Sequence, residues 1–259
     1  MDRYRAEQLN ALNASFYARV TEAFSQTRTF AWHGWDRVWQ ACSDALCNAP
    51  SLLDIGCGNM RFEKFLASKL AHMTDKPLKA YAIDSCRALA ETSSLKGILV
   101  DFLEMDIRET TRDGNAPEAF AKIPACALVA CFGLMHHLPC ALDREHLLLR
   151  MIEKTAPDGF MSVSFWQFAS DPRMRKKAER ATQRGSDLLG FDIDTDQGDY
   201  LLDWQNEVNA FRFCHSFADP EIDDLIGVAC AQGCDLVADY QDDGKSGKLN
   251  RYLIFKVHP

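Results

Sequence analysis

The stretch SLLDIGCGNMRFEKFL, Ser51 to Leu66, passes from an apolar run through two glycines into an amphipathic run. The apolar part has the length of a buried strand and RFEKFLASKLA has helical periodicity, so the glycines fall in a strand-to-helix turn. Asp54 stands near the carboxyl end of that strand, and Gly56 and Gly58 lack the Cβ atoms that would hold a ligand away from the backbone. In an open α/β sheet, ligands bind in the crevice beyond those strand ends. Spacing excludes two familiar sites: the third glycine of G-x-G-x-x-G would fall at Arg61, and no G-K-[ST] follows for a phosphate loop. The turn suits instead a nucleoside that carries an amino-acid tail.

The next strands supply matching groups. A ribose needs a carboxylate to accept both hydroxyl protons at the end of the following strand, roughly 20 to 30 residues on, and AYAIDS places Asp84, followed by Ser85, there. FLEMDIRE ends one strand later in Asp106, set to accept from an adenine amino group while Ile107 covers the ring. Each acid alone also reads as a turn or helix-cap residue. Three of them ending successive strands point to one ligand, S-adenosylmethionine. Further along, ALVACFGL, GFMSVSFW, CDLVADY and NRYLIFKV read as strands and REHLLLRMIEKT as a helix. This alternation predicts βαβ units and a parallel sheet covered on both faces, with residues 170–209 an insertion into one domain that spans 51–259.

The 259 residues, 47% of them hydrophobic, allow one sizeable core. A net charge of −8 argues against coating nucleic acid by global electrostatics. The first residues show no basic segment followed by an apolar one, and no window approaches the roughly 18 apolar residues of a membrane span, so a cytoplasmic protein without membrane contact is expected. Ten cysteines, scattered in apolar runs without a C-x-x-C pair, read as buried free thiols.

From Leu52 to Val257 the chain resembles the class I S-adenosylmethionine-dependent methyltransferases. LLDIGCGN, with Asp54, Gly56, Gly58 and Asn59, looks like motif I, IDS like the ribose-binding acid, MDI like the adenine-binding segment, and ACFGLMHHL, with Cys131 and Phe132, like the fourth-strand cofactor motif. The resemblance implies an α/β, doubly wound, Rossmann-like methyltransferase fold with a mostly parallel seven-stranded sheet and an antiparallel last strand. Upstream, SFYARVTEAFSQTRTFAWHGWDRV, Ser15 to Val38, is similar to the corresponding segment of the tRNA wobble-uridine carboxymethyl methyltransferases, as are GDYLLDW and NRYLIFKV. That implies a helical cofactor lid over residues 1–50, with Tyr17, Arg28 and Trp32 closing on the methionine end and Arg28 pairing its carboxylate, which a guanidinium fits in bidentate fashion. It also implies tRNA as acceptor and a possible small activating partner subunit. Phe16, Val20 and Phe24 read as an apolar face packed on the sheet. The chain departs from the family at Met60, a glycine position in many members, and at Ala156-Pro157-Asp158-Gly159, where K-P-G-G is usual.

The acceptor side is less marked. His136 and His137 follow the fourth strand, where His136 is the candidate to orient or deprotonate an acceptor and His137 to bond loop backbone. An adjacent histidine pair without a cysteine pair is not a metal motif. Trp166, Gln167 and Trp204 are candidates to line the acceptor pocket. A basic stretch, Arg173 to Arg184, is followed by fifteen acids and one basic residue between Gly185 and Asp243. The first would hold a phosphate backbone and the second would repel it. A tRNA acceptor, a small-molecule acceptor, and a cofactor-binding or partner subunit without catalysis all remain open.

Overall fold

The strands of the computed structural model are β1 (Ser51–Ile55), β2 (Leu78–Asp84), β3 (Ile98–Glu104), β4 (Cys126–Cys131), β5 (Thr155–Trp166), β6 (Asp199–Asp203), β7 (Phe211–His215), β8 (Cys234–Asp242) and β9 (Asn250–Val257). The structure describes residues 1–26, 30–90, 96–111, 116–204 and 210–258, excepting the side chains of 21–26. Seven strands form one sheet in the order β3-β2-β1-β4-β5-β9-β8. β1 to β5 run parallel, and β9, the last strand of the chain, lies antiparallel between β5 and β8. The chain builds outward from β1 to β3 and then crosses to β4 on the other side of β1, so the crevice of a doubly wound sheet opens between the tips of β1 and β4.

Side-chain alternation along these strands divides the core into two layers. Leu53, Ile55, Val129 and Cys131 lie in one layer with the short helix α4 (Glu118–Ala121), through Phe120, and with helices α5 (Ala141–Lys154) and α7 (Asp219–Ala231), through Leu147, Leu148, Met151, Ile222 and Ala229. Leu52, Ala80, Leu128 and Ala130 face α2 (Trp35–Asn48) and α3 (Arg61–Leu70), through Val38, Cys42, Leu46, Phe62 and Leu66. Each large side chain so buried contributes about 1.5–3 kcal/mol. Gly34, ahead of α2, is in close contact with this layer: a Cβ there would lie 2.4 Å from the ring of Tyr252, which is fully buried. All ten cysteines are free thiols, and no helix among the described residues is long and apolar enough to cross a membrane.

Beyond the sheet lies an annex. Helix α6 (Pro172–Leu189) begins at Asp171, whose carboxylate accepts from the amides of Arg173 and Met174, and ends at Gly190 with φ +72°. It packs on the two-stranded antiparallel sheet β6–β7, with Gly185 leaving space for Leu201 and Phe211. The excursion from the main sheet therefore runs on to His215, past the expected limit of 209. β7 escaped sequence reading because FRFCH is short and carries two polar residues, and the helix that covers it, α1, lies almost 200 residues earlier. Helix α1 (Arg3–Gln26) packs on the annex rather than on the main sheet: Leu9 joins Leu201, Phe211 and Phe213, and Phe16 and Val20 join Ala210. Phe24 lies outside the described side chains. Asn13 Oδ1 accepts from the Phe213 amide at 2.7 Å.

A buried ion cluster fastens the annex to the core. His215 reaches Asp199 through Nδ1 and Glu221 through Nε2, both at 2.7 Å, and Arg144 pairs with Glu221 at 2.8 Å. Burial opposes charge on His215, but the hydrogen bonds to Asp199 and Glu221 outweigh it and raise the imidazole pKa.

Candidate functional site

A cleft of about 780 Å³ occupies the crevice at the β1 and β4 tips. Its floor is the turn after β1. Gly56 and Gly58 have φ of +82° and +53°, in the left-handed region that side chains disfavour. The Gly58 amide donates to Asp84 Oδ2 at 2.9 Å, and the amides of Gly56 and Cys57 donate to the Ile83 carbonyl, so the turn is tied to the tip of β2. Met60 is also left-handed, at φ 57°, a conformation that glycine adopts without strain. Here the conformational cost, about 1–2 kcal/mol, is offset because the Met60 side chain is fully buried against Cys57, Ala82 and Phe102.

The three acids occupy different environments. Asp54 is buried beside Glu63, and burial raises its pKa to about 7; burial, and then the Asp54 charge, raises that of Glu63 as well. The Glu63 carboxyl oxygens meet no donor of good geometry among the described residues. Asp84 accepts from the amides of Gly58 and Cys86, at 2.9 and 2.8 Å; burial raises its pKa against these bonds. Asp106 accepts from the Arg108 amide at 3.1 Å and pairs with the Arg108 guanidinium. Asp84 and Asp106 thus also close their own turns.

The far end of the cleft is made by α1, the segment after β4, and β7. Since the Phe213 carbonyl can only accept, His137 Nδ1 carries the proton in their 3.1 Å contact, and His137 Nε2 accepts from the Tyr17 hydroxyl at 2.7 Å. Arg212 Nη1 donates in turn to Tyr17 Oη at 3.3 Å. Arg212 is buried and its guanidinium lies over the rings of Phe16 and Trp204, at 5.1 and 5.7 Å. Ligand-type atoms of His136, His137 and Cys214 lie within 4.8 Å of one another, with both ring nitrogens of His137 engaged in hydrogen bonds. The His136 ring packs 4.1 Å from that of His137 and 4.9 Å from that of Trp166.

Of the residues singled out in the sequence, Tyr17, Trp32, Asp54, Gly56, Gly58, Asn59, Asp84, Ser85, Asp106, Ile107, Phe132, His136 and Trp166 line this one cleft. Arg28 lies outside the described residues. Cys131 is a correction: it is fully buried in the core layer under the sheet, with its thiol pKa raised by burial. Trp204 stands one side chain behind the wall, packed on Phe16 and Arg212. Gln167 is turned away, donating to Asp219 and accepting from Gln241, both at 2.8 Å. Tyr17 engages His137 and Arg212 at the far end of the cleft. Sequence reading missed Asn13, Arg61 and Arg212 as cleft residues. A signal for Arg212 was present, because it is the one basic residue in the acidic span from Gly185 to Asp243.

No protein-family model matches the chain, and no curated protein does. Solved structures do. A S-adenosylmethionine-dependent methyltransferase from Methanosarcina mazei is similar with a TM-score of 0.56 at 17% identity, over 80% of this chain and 92% of that one. The S-adenosylmethionine-bound amino pentose methyltransferase CalS10 from Micromonospora echinaspora matches with a TM-score of 0.54 at 16% identity, over 92% and 96%. A S-adenosylmethionine-dependent methyltransferase from Clostridium acetobutylicum matches with 0.53 at 11%, over 95% and 98%. The chain has the fold of these methyltransferases.

Proposed function

We propose that the protein is an S-adenosylmethionine-dependent methyltransferase acting on a carboxylate, the carboxymethyl group of a tRNA wobble uridine. The observation that carries the reading is a single cleft lined by the acids at the tips of β1, β2 and β3 and, past Trp32 and Phe132, by His136, Trp166 and Arg212. In it Asp84 takes the ribose hydroxyls, Asp106 and Ile107 the adenine, and the open side of Gly58, where a Cβ would meet nothing within 4 Å, lets the ligand approach the backbone. The cofactor supplies the methyl group on a sulfonium. The chain's residues hold the acceptor on the methyl axis at near-attack distance. A carboxylate is already ionised and needs no general base; Arg212 provides fixed positive charge at that end, and His136 with Trp166 orients the acceptor. Arg28, with Trp32 as lid, is assigned to the methionine carboxylate.

The tRNA acceptor is supported by the resemblance of Ser15–Val38 and by exposed Arg173, Lys176, Lys177 and Arg180 on α6. A small-molecule acceptor is the second reading, favoured by the acidic span that follows. Incubation with methyl-labelled S-adenosylmethionine and a cell extract separates them. Label in tRNA that mild alkali releases as a volatile product supports the ester reading, and label confined to the small-molecule fraction supports the second. Transfer in extract that purified protein and tRNA fail to reproduce indicates an activating partner subunit. No label in any fraction, with cofactor bound, indicates a protein that binds without catalysis.

A further inference from the structure

Among the described residues no acidic or basic side chain is more deeply buried than Glu63, and the function proposed above leaves it unused. Arg144, Lys154, Asp199, Arg212 and Asp243 are buried too, and each meets a partner that answers its charge or its protons: Glu221, two backbone carbonyls, His215, the Tyr17 hydroxyl, and Asn250 with Tyr252. Glu63 meets Asp54 instead, an acid against an acid. Neither of its oxygens has a donor of good geometry among the described residues.

Ionised carboxylates only accept hydrogen bonds, so a contact between two of them closes when one oxygen carries a proton. Asp54, at the tip of β1, lines the cleft; Glu63, in the first turn of α3, does not. A proton leaving the pair for solvent therefore passes by Asp54. The titratable and charged groups around the two are Asp84 at the tip of β2, Cys57 in the turn, Cys131 on β4, and Arg61 and Lys64 on α3. Burial is the largest influence and raises the pKa of both acids; Asp84 adds to it at Asp54, while Arg61 at Asp54 and Lys64 at Glu63 act against it. A cation arriving at Asp54 shifts the balance toward the ionised pair. The sheet order brings one there: with adenine and ribose assigned to Asp106 and Asp84 at the tips of β3 and β2, the ligand's amino-acid tail and its ammonium lie toward β1.

We infer that Glu63 is a positioning residue that keeps a proton on the Asp54–Glu63 pair while the cleft is empty, and that the pair releases this proton to solvent when the ligand's cation settles on Asp54. Ligand binding and proton release are then one event, and affinity rises with pH until the empty pair is itself ionised. The inference rests on the cofactor assignment made above. Its test is calorimetric titration with S-adenosylhomocysteine in phosphate and in Tris, whose ionisation heats differ, so that the difference between the two gives the protons exchanged. The wild type should release roughly half a proton or more per ligand near neutral pH, with affinity rising about tenfold or more from about pH 5.5 to 8. In Glu63→Gln the amide donates to Asp54 without a shared proton, so release should fall below about a tenth of a proton and the pH profile should be flat. Asp54→Asn gives Glu63 the amide donor in the same way and should bind more weakly, also without release. A wild type that binds without releasing a proton, or release retained in either folded variant, would overturn the inference and leave the cofactor assignment standing. Failure of the wild type to bind S-adenosylhomocysteine would overturn both.

Discussion

The two ends of the cleft are built by different means. The end assigned to the cofactor sits on the tips of three neighbouring parallel strands, and its groups are fixed by contacts within those turns, such as Arg108 to Asp106, or between adjacent strand tips, such as Gly58 to Asp84. The end proposed for the acceptor is assembled from α1, the segment after β4 and β7, joined by contacts spanning more than 70 residues, such as Tyr17 to His137, His137 to Phe213 and Asn13 to Phe213. The first is a property of the sheet. The second depends on an annex fastened by side chains, so the two should fail separately.

The largest effect is expected at the fastening. His215→Ala leaves Asp199 and Glu221 without their shared partner and should cost about 3–5 kcal/mol of stability, seen in urea melts, while affinity for S-adenosylhomocysteine stays within about threefold. Because the His215 pKa is raised on folding, its contribution is complete below the unfolded value near 6.5 and is lost as pH rises through the folded value. Wild-type stability should therefore decline from neutral to alkaline pH, and His215→Gln should flatten that slope. Next, Asp84→Ala should weaken S-adenosylhomocysteine binding about 100-fold, or about 2.7 kcal/mol, with the annex intact by circular dichroism. Tyr17→Phe removes the hydroxyl between Arg212 and His137 and should lower the methyl-transfer rate about tenfold, or about 1.4 kcal/mol in the barrier, with cofactor affinity unchanged in a binding titration. The smallest effect is expected at Met60→Gly, where relief of the left-handed backbone offsets the lost burial to within about 1 kcal/mol in thermal melts.

This contrast also explains what the sequence disclosed. The seven strands of the main sheet and the turn at Gly56–Gly58 announce themselves through local apolar runs and glycines, signals that need no knowledge of partners. Asp84 and Asp106 follow from spacing along the same units. β6 and β7 do not, because DYLLD and FRFCH mix polar and apolar residues and become strands only where α1, almost 200 residues earlier, covers them. Trp204 and Cys131 show the same limit at single positions: each sits in the right segment, and only packing decides that one supports Arg212 from behind and the other points into the core.

The central claim, that the crevice at the tips of β1 to β4 holds S-adenosylmethionine, is tested most directly by titrating the purified chain with S-adenosylhomocysteine in a calorimeter. The account predicts saturable binding of one ligand per chain at roughly micromolar affinity, about 8 kcal/mol. Absence of binding heat at any temperature where the chain is folded would contradict it.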